Sequence, residues 1–116
     1  MTDTADCLFC RIVAGEVPAT VVAESEHALA FRDVNPQAPT HVLVVPRVHV
    51  ENGAALAGSS AVALAEVVTL AGTVADSEGL TGGYRMVFNT GPAAGQTVFH
   101  AHLHVLGGRD LAWPPG

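Results

Sequence analysis

Hydrophobic residues along the chain follow two spacings, and the changes between them mark the predicted elements. Residues 7–15 (CLFCRIVAG) carry apolar residues at positions 8, 9, 12 and 13, the spacing of a short helix that a glycine ends. Residues 20–25 (TVVAES) and 27–34 (HALAFRDV) read as two strands around a polar turn, and 41–46 (HVLVVP) is a β-branched run that a proline ends. The first half therefore predicts a helix, a hairpin and a buried third strand.

The second half of the chain predicts one long helix and two more strands. Residues 59–78 are rich in alanine, with a serine at either of the first two positions as N-cap and Gly79 as C-cap. Residues 84–89 (YRMVFN) and 99–106 (FHAHLHVL) are strands joined by a glycine-rich loop. Because short connections favour antiparallel pairing, we predict one α+β domain over residues 1–116, with its helices packed on one face of the sheet.

Composition narrows the classes of function. The chain has 5 basic residues, all of them scattered arginines, against 11 acidic ones, so nucleic acid is not an expected partner. The absence of lysine excludes a P-loop lysine, and a bound phosphate would be held by backbone N–H groups, hydroxyls, histidine or arginine. Since neither a signal peptide nor a run of about 18 apolar residues is present, we expect a cytoplasmic protein without a membrane segment.

Half of the 6 histidines fall in the segment HAHLH, at positions 100, 102 and 104. In a strand these side chains share one face, and residues 101, 103 and 105 turn to the core. The three positions span about 13 Å, which is too far for all of them to bind one zinc ion. A neutral imidazole attacks phosphorus well and a second one can move a proton, so His102 and His104 indicate phosphoryl or nucleotidyl transfer. A polar strand face without a catalytic role is the alternative.

Polar groups near this segment suit a phosphate. Asn89 ends the preceding strand, Gln96 and Thr97 follow the glycine-rich loop, and glycines allow the backbone to approach an anion. Taken singly, each of these residues is also typical of turns.

The cysteine pair predicts a metal site. Cys7 and Cys10 form a C-x-x-C motif, which supplies two thiolates, and a tetrahedral structural zinc site needs two further ligands. His49 follows the third strand and His100 lies in the last one. We therefore predict a Zn²⁺ site formed by Cys7, Cys10, His49 and His100, with two free core cysteines as the alternative.

The pattern H-φ-H-φ-H-φ-φ at residues 100–106, where φ is apolar, resembles the signature of the histidine triad (HIT) family. The segments HLHVLGGRDLAWPPG, LAFRDVNPQAPTHVLVVPRVH and GYRMVFNTG resemble its HINT branch, and the likeness covers residues 7–116. It implies a single HIT domain with a five-stranded antiparallel sheet and two helices, paired into a homodimer with a ten-stranded sheet. It also implies a purine nucleoside phosphoramidase that hydrolyses nucleoside 5′-phosphoramidates to AMP or GMP through a nucleotidyl-histidine intermediate.

The resemblance assigns catalytic roles. His102 is the implied nucleophile, His104 assists proton transfer, and His41 supports the triad. Related bacterial members bind zinc through C-x-x-C, which leaves His100 either as a zinc ligand or as an active-site hydrogen-bonding residue. The alternatives are a nucleotide-binding interaction module with little turnover and a dinucleoside polyphosphate hydrolase of the same superfamily.

The resemblance also implies contacts with the substrate. Phosphate and ribose contacts are implied for Asn89, Thr97 and Asp33, and Trp113 is implied to reach towards the partner subunit's active site. An apolar slot for the base corresponds to Leu8, Phe9, Ile12, Phe31, Val34 and Leu43.

Overall fold

The computed structural model describes residues 4–116 and contains a five-stranded antiparallel sheet in the order β1-β2-β3-β5-β4. The strands are β1 (Val21–Glu24), β2 (Ala28–Arg32), β3 (Thr40–Pro46), β4 (Tyr84–Phe88) and β5 (Leu103–Gly107). The helices are α1 (Leu8–Val13), α2 (Gly53–Ser59) and α3 (Ala61–Ser77), with short 3-10 turns at Thr4–Asp6 and Pro92–Ala94. The predicted α+β class and antiparallel sheet are confirmed. No helix in residues 4–116 combines the length and apolar character that crossing a membrane requires.

Both faces of the sheet are covered. Successive residues of β2 belong in turn to two apolar clusters on opposite faces of the sheet. Ala28 and Ala30 pack with α3, whereas Leu29 and Phe31 pack with α1. Phe9 of α1 contacts Phe31 with ring centroids 5.6 Å apart. The prediction that the helices share one face is therefore wrong. A continuous apolar strand such as β3, all 7 residues of which are buried, is the sequence signal of a sheet covered on both sides.

The long predicted helix is confirmed as α3, and a separate short helix, α2, precedes it. α2 ends at Ser59, and Ser60 caps α3 by accepting a hydrogen bond from the N–H of Ala63 at 3.1 Å. The sequence pattern predicted no helix before residue 59, because a helix of 7 residues is too short to show a clear helical period. At its other end α3 stops before Gly79, whose φ of +73° suits the predicted glycine C-cap.

The last strand is shorter than predicted. β5 begins at Leu103, so His100 and His102 precede it and only His104 lies in the ladder. The N–H of Ala101 donates to the carbonyl of Val50 at 2.7 Å instead of to a neighbouring strand. Alternation nevertheless continues through the segment, because Ala101 is buried and Leu103 and Val105 pack in the cluster with α3, whereas His100 and His102 contact Phe9 of α1.

Glu66 of α3 fastens the helix to the β1–β2 turn. Its Oε1 accepts hydrogen bonds from the Ser25 hydroxyl at 2.7 Å and from the backbone N–H of His27 at 2.8 Å, and the His27 ring contacts Oε2. These bonds, with that of Ser25 the strongest, lower the pKa of Glu66 from 4.5 to about 2. The carboxylate is therefore stabilised in its charged form in the folded state.

Substituting Glu66→Gln is expected to lower stability at neutral pH and to weaken its dependence on acid. Because the folded pKa lies below the unfolded one, the contribution of Glu66 is complete above about pH 5 and is lost as the pH falls through 4.5 towards 2. Urea unfolding at about pH 7 and about pH 3 measures this. The free energy of unfolding should fall more from pH 7 to pH 3 in wild type than in the variant. Glu26→Gln, at an exposed neighbour, is the control. Equal losses in wild type and Glu66→Gln would contradict the assignment.

Candidate active site

A cavity of about 660 Å³ opens on the α1 side of the sheet. It lies between α1, the segment before β1, the ends of β2 and β4, and the loop that leads to β5. The structure brings eleven of the predicted catalytic and substrate-binding residues to its wall: Leu8, Phe9, Ile12, Phe31, Asp33, Val34, Leu43, Asn89, Thr97, His102 and His104. Val34 lies at the rim and is fully exposed.

Besides Gly95 of the glycine-rich loop, five further residues of the wall were not predicted: Pro18, Ala19, Thr20, Arg32 and Val98. The segment before β1 reaches the pocket because the N–H of Arg32 donates to the carbonyl of Thr20 at 3.0 Å, which continues the pairing of β1 with β2. A proline before the first strand is visible in the sequence, but the hairpin register that places this segment at the pocket is not.

His102 presents an unprotonated nitrogen to the pocket. Its Nδ1 lies 2.8 Å from the carbonyl oxygen of His100, and since a carbonyl only accepts, Nδ1 carries the proton. The neutral ring then has its lone pair on Nε2. Phe9 packs against the ring edge-on, with centroids 5.0 Å apart, and fixes its orientation from the other side. The segment therefore supplies a neutral imidazole of defined tautomer.

His104 has the opposite tautomer. The backbone N–H of Gln37 donates to Nδ1 of His41 at 3.0 Å, so the proton of His41 is on Nε2. That Nε2 lies 2.9 Å from Nδ1 of His104 and donates to it, which leaves the proton of His104 on Nε2. Within residues 4–116, Nε2 of His104 is a buried nitrogen without a hydrogen-bond partner. The N–H of His104 is therefore a free hydrogen-bond donor next to His102, and the centroids of the two rings are 5.1 Å apart.

Burial keeps these imidazoles neutral. It lowers the pKa of His104 to about 4, with smaller contributions from His102 and His41, and it lowers the pKa of His102 and His41 as well. Asp33 acts in the opposite direction, since its Oδ2 lies 3.4 Å from Nε2 of His41. The site thus offers a nucleophile and a donor without a positive charge near neutral pH.

Asp33 serves both as a turn residue and as part of the pocket. Its Oδ1 accepts a hydrogen bond from the N–H of Asn35 at 2.8 Å, as expected for an acid that begins a turn. Its side chain is partly exposed and lines the cavity.

Three predicted site residues lie outside the cavity. His41 lies behind His104, as described above. Gln96 is buried among backbone groups and does not line the wall. Trp113 is 82% exposed on the C-terminal tail, so within this chain it is not packed against the core.

The four predicted zinc ligands are brought together beside the pocket. Nδ1 of His100 lies 3.5 Å from Sγ of both Cys7 and Cys10, and Nδ1 of His49 lies 3.2 Å from Sγ of Cys10. His100 donates from Nε2 to the carbonyl of Pro46 at 2.8 Å, so its Nδ1 lone pair faces the sulfurs. Ligand atoms of a tetrahedral zinc site are about 3.5 Å apart, given Zn–S of about 2.3 Å and Zn–N of about 2.0 Å.

This donor set fits zinc in chemistry as well as in spacing. Burial, followed by the hydrogen bond from Cys7 and its charge, raises the pKa of Cys10 to about 11. Without a metal the thiol therefore keeps its proton near neutral pH, and metal binding would release it. Two sulfurs and two imidazole nitrogens, all within 4.8 Å of one another, match the ligand types of structural zinc sites.

A second cavity, of about 640 Å³, lies at the opposite end of the β4–β5 pair and is lined in part by Arg85 and Arg109. Its wall contains neither histidine nor cysteine. The reactive groups are therefore gathered at the first cavity.

Comparison with known proteins agrees with this geometry. The HIT domain family matches residues 14–111. An uncharacterised HIT-like protein of Synechococcus elongatus is 50% identical over 96% of this chain and 97% of its own length, and the 14 kDa zinc-binding protein of Zea mays is 47% identical over 98% and 91%. The structure of a HIT family hydrolase from Legionella pneumophila superposes with a TM-score of 0.91 at 49% identity, covering 96% of this chain and 100% of that one. This chain belongs to the HIT domain family.

Proposed function

We propose that this protein is a purine nucleoside phosphoramidase, a hydrolase that cleaves the P–N bond of nucleoside 5′-phosphoramidates. One observation carries the proposal: the lone pair on Nε2 of His102 and the N–H on Nε2 of His104 stand side by side in one pocket, each fixed by a named hydrogen bond. A neutral nucleophile next to a donor suits attack on an anionic phosphorus centre.

In the first step, Nε2 of His102 forms a bond to the α-phosphorus and the P–N bond breaks. The departing nitrogen takes up one proton from solvent and leaves as an amine. In the second step, water attacks the phosphorus, the bond to His102 breaks, and the water releases one proton, so the two steps together consume only water. The N–H of His104 hydrogen-bonds to a phosphoryl oxygen or to the departing nitrogen, where charge develops. His100 keeps His102 in the required tautomer throughout.

The pocket divides between an apolar and a polar end. The base is proposed to occupy the slot between α1 and the sheet, where Phe9 and Phe31 meet edge-on. Asp33 would accept hydrogen bonds from the ribose hydroxyls, and Asn89 and Thr97 would contact the phosphate. The product would then be AMP or GMP.

A structural Zn²⁺ bound by Cys7, Cys10, His49 and His100 is part of the proposal. Zinc would link α1, the segment after β3 and the histidine segment, and it would act by fixing geometry rather than by entering the reaction. The name of the maize relative supports zinc binding, and a reducing compartment such as the cytoplasm would keep both thiols available.

The test is hydrolysis of adenosine 5′-phosphoramidate, with samples quenched rapidly in alkali and examined by intact-protein mass spectrometry. Release of AMP with a transient protein adduct of one AMP mass supports the proposal. Binding of AMP without turnover or adduct would instead indicate a nucleotide-binding module. Cleavage only of dinucleoside polyphosphates would indicate the related hydrolase activity.

We also propose a homodimer formed through α3 and the edge strand β4. From Ala61 to Thr73 every exposed residue of α3 is uncharged, including Val62 and Val68, which are 60% and 42% exposed. Tyr84, at the start of β4, lies against the same helix near Gly72. An apolar helix face beside an unpaired strand edge is suited to continuing the sheet into a second copy.

Substituting Val68→Arg is therefore expected to convert a dimer into a monomer, because it places a charge in the middle of this surface. Val68 is exposed in the single chain, so folding should be little affected. Light scattering after gel filtration measures the mass directly. Val21→Arg, at an exposed valine on the opposite edge strand, should leave the dimer intact. A wild-type monomer, or a dimer that survives Val68→Arg, would count against this interface.

A further inference from the structure

Gln96 lies next to the pocket but outside it, and its side chain is used entirely within the protein. It is 3% exposed. Its Oε1 accepts a hydrogen bond from the N–H of Gly91 at 2.9 Å, and its Nε2 donates to the carbonyls of Glu51 at 2.8 Å and Val98 at 3.1 Å. Three backbone segments are therefore joined by one amide, whose donors and acceptor are all occupied.

The loop from Asn89 to Thr97 depends on this amide for its shape. Gly91 and Gly95 adopt φ values of +88° and +90°, which side-chain-bearing residues rarely adopt. The carbonyl of Gly91 accepts from the N–H groups of Ala94 and Gln96, and its N–H is bound by the side chain of Gln96. Both backbone polar groups of Gly91 are therefore hydrogen-bonded within the loop, and the side chain of Gln96 supplies one of the partners. Both neighbours of Gln96 in sequence, Gly95 and Thr97, line the pocket.

The NH2 group of the Gln96 amide connects this loop to the rest of the site. Glu51, whose carbonyl it binds, lies two residues after His49 of the Cys2His2 cluster. The residue between them, Val50, accepts the backbone N–H of Ala101, next to His102. One short segment therefore holds both the loop and the histidines, and Gln96 sets the position of the loop relative to the nucleophile.

We propose that Gln96 is a positioning residue: it holds the Asn89–Thr97 loop in place around the substrate phosphate without touching the substrate. This role rests on the proposed function and replaces the direct contact that the sequence predicted. A loop that is ordered before binding avoids an ordering cost when the ligand arrives, and it keeps the phosphorus aligned with Nε2 of His102. Loss of the amide should therefore affect both affinity and rate.

The test compares Gln96→Met, which keeps the shape and removes all three hydrogen bonds, with Gln96→Glu, which keeps only an acceptor for Gly91. Ser60→Ala is the control, because it removes a helix-capping bond far from the loop. Three quantities are measured: hydrogen exchange of the amides in residues 89–99, the Kd for AMP, and kcat and KM for adenosine 5′-phosphoramidate. Exchange does not depend on any activity.

In both Gln96 variants we expect faster exchange in the loop, an increase of about tenfold in the Kd for AMP, and a decrease in kcat of about 10- to 100-fold. Exchange at Gly91 itself should rise most in Gln96→Met, which removes the acceptor of its N–H. Ser60→Ala should lower the melting temperature and change none of these. Loop exchange equal to wild type, or unchanged Kd and kcat in variants that are merely less stable, would overturn the proposal. If wild type neither binds AMP nor cleaves the substrate, the proposed function fails, and exchange alone then decides whether Gln96 holds the loop.

Discussion

Substituting His102→Ala is expected to reduce hydrolysis of a nucleoside phosphoramidate by at least about 10⁴-fold, because it removes the atom that attacks phosphorus. No other group in the pocket replaces it. His104 carries its proton on Nε2, the atom that faces the reaction, and His41 lies behind His104 and outside the cavity wall. Steady-state rates and the mass of the alkali-quenched protein measure the loss, and the AMP adduct should disappear with it.

The fold should tolerate this change. The ring of His102 makes one hydrogen bond, to the carbonyl of His100, and packs against Phe9. His27→Ala is the matched control, since it removes a histidine from the far side of the sheet, where its partner is Glu66 of α3. That variant should retain full activity. Turnover by His102→Ala within about tenfold of wild type would falsify the assignment of the nucleophile.

The second large effect is expected from the Cys2His2 cluster. Wild-type protein purified without added metal should contain about one zinc per chain, and Cys7→Ser should lose most of it. Because metal bound only by the folded chain contributes directly to stability, the melting temperature of the variant should fall by about 10–20 °C. Elemental analysis and thermal unfolding of the same samples measure both effects.

Two comparisons separate loss of metal from loss of a sulfur. Treatment of wild type with a strong chelator should lower its melting temperature towards that of Cys7→Ser and have no further effect on the variant. Ser77→Ala, which removes a hydrogen bond to the carbonyl of Val74 at the end of α3, should keep its zinc. A zinc-free wild type that is as stable before chelation as after it would rule out a structural metal.

Site residues whose role depends on spacing within one segment could be predicted from the sequence. The C-x-x-C pair and the alternating histidines each occupy a few residues, and the geometry of a helix turn or an extended segment fixes how far apart their side chains lie. The prediction that His100 joins the cysteines while His102 and His104 carry the chemistry combined that spacing with the ligand count of zinc and with the resemblance to the HIT family, which left the role of His100 open. The structure places all three accordingly, although two of them precede the strand.

Features that depend on tertiary contacts could not be predicted in this way. The start of β5 is decided by Ala101, whose N–H binds Val50 rather than a strand, and no local pattern encodes that choice. Gln96 resembles a substrate ligand in sequence because it lies between two pocket residues, but its amide reaches Glu51, 45 positions earlier in the chain. The placement of α1 on the second face of the sheet likewise depends on contacts between residues far apart in the chain.

The neutrality of the imidazoles affects the rate at which an anionic ligand associates with the pocket. An anionic ligand entering this pocket meets no unpaired cationic side chain in its wall. Burial suppresses the charge of His102 and His104, and the guanidinium of Arg32 forms an ion pair with Glu78, with Nη1 2.7 Å from Oε1. The chain as a whole carries a formal charge of -6. Long-range attraction therefore does not accelerate encounter, and added salt, which screens the repulsion between the acidic chain and an anionic ligand, should not slow association. Selection among nucleotides then falls to the fit of the base in its slot and to the residence time of the bound complex.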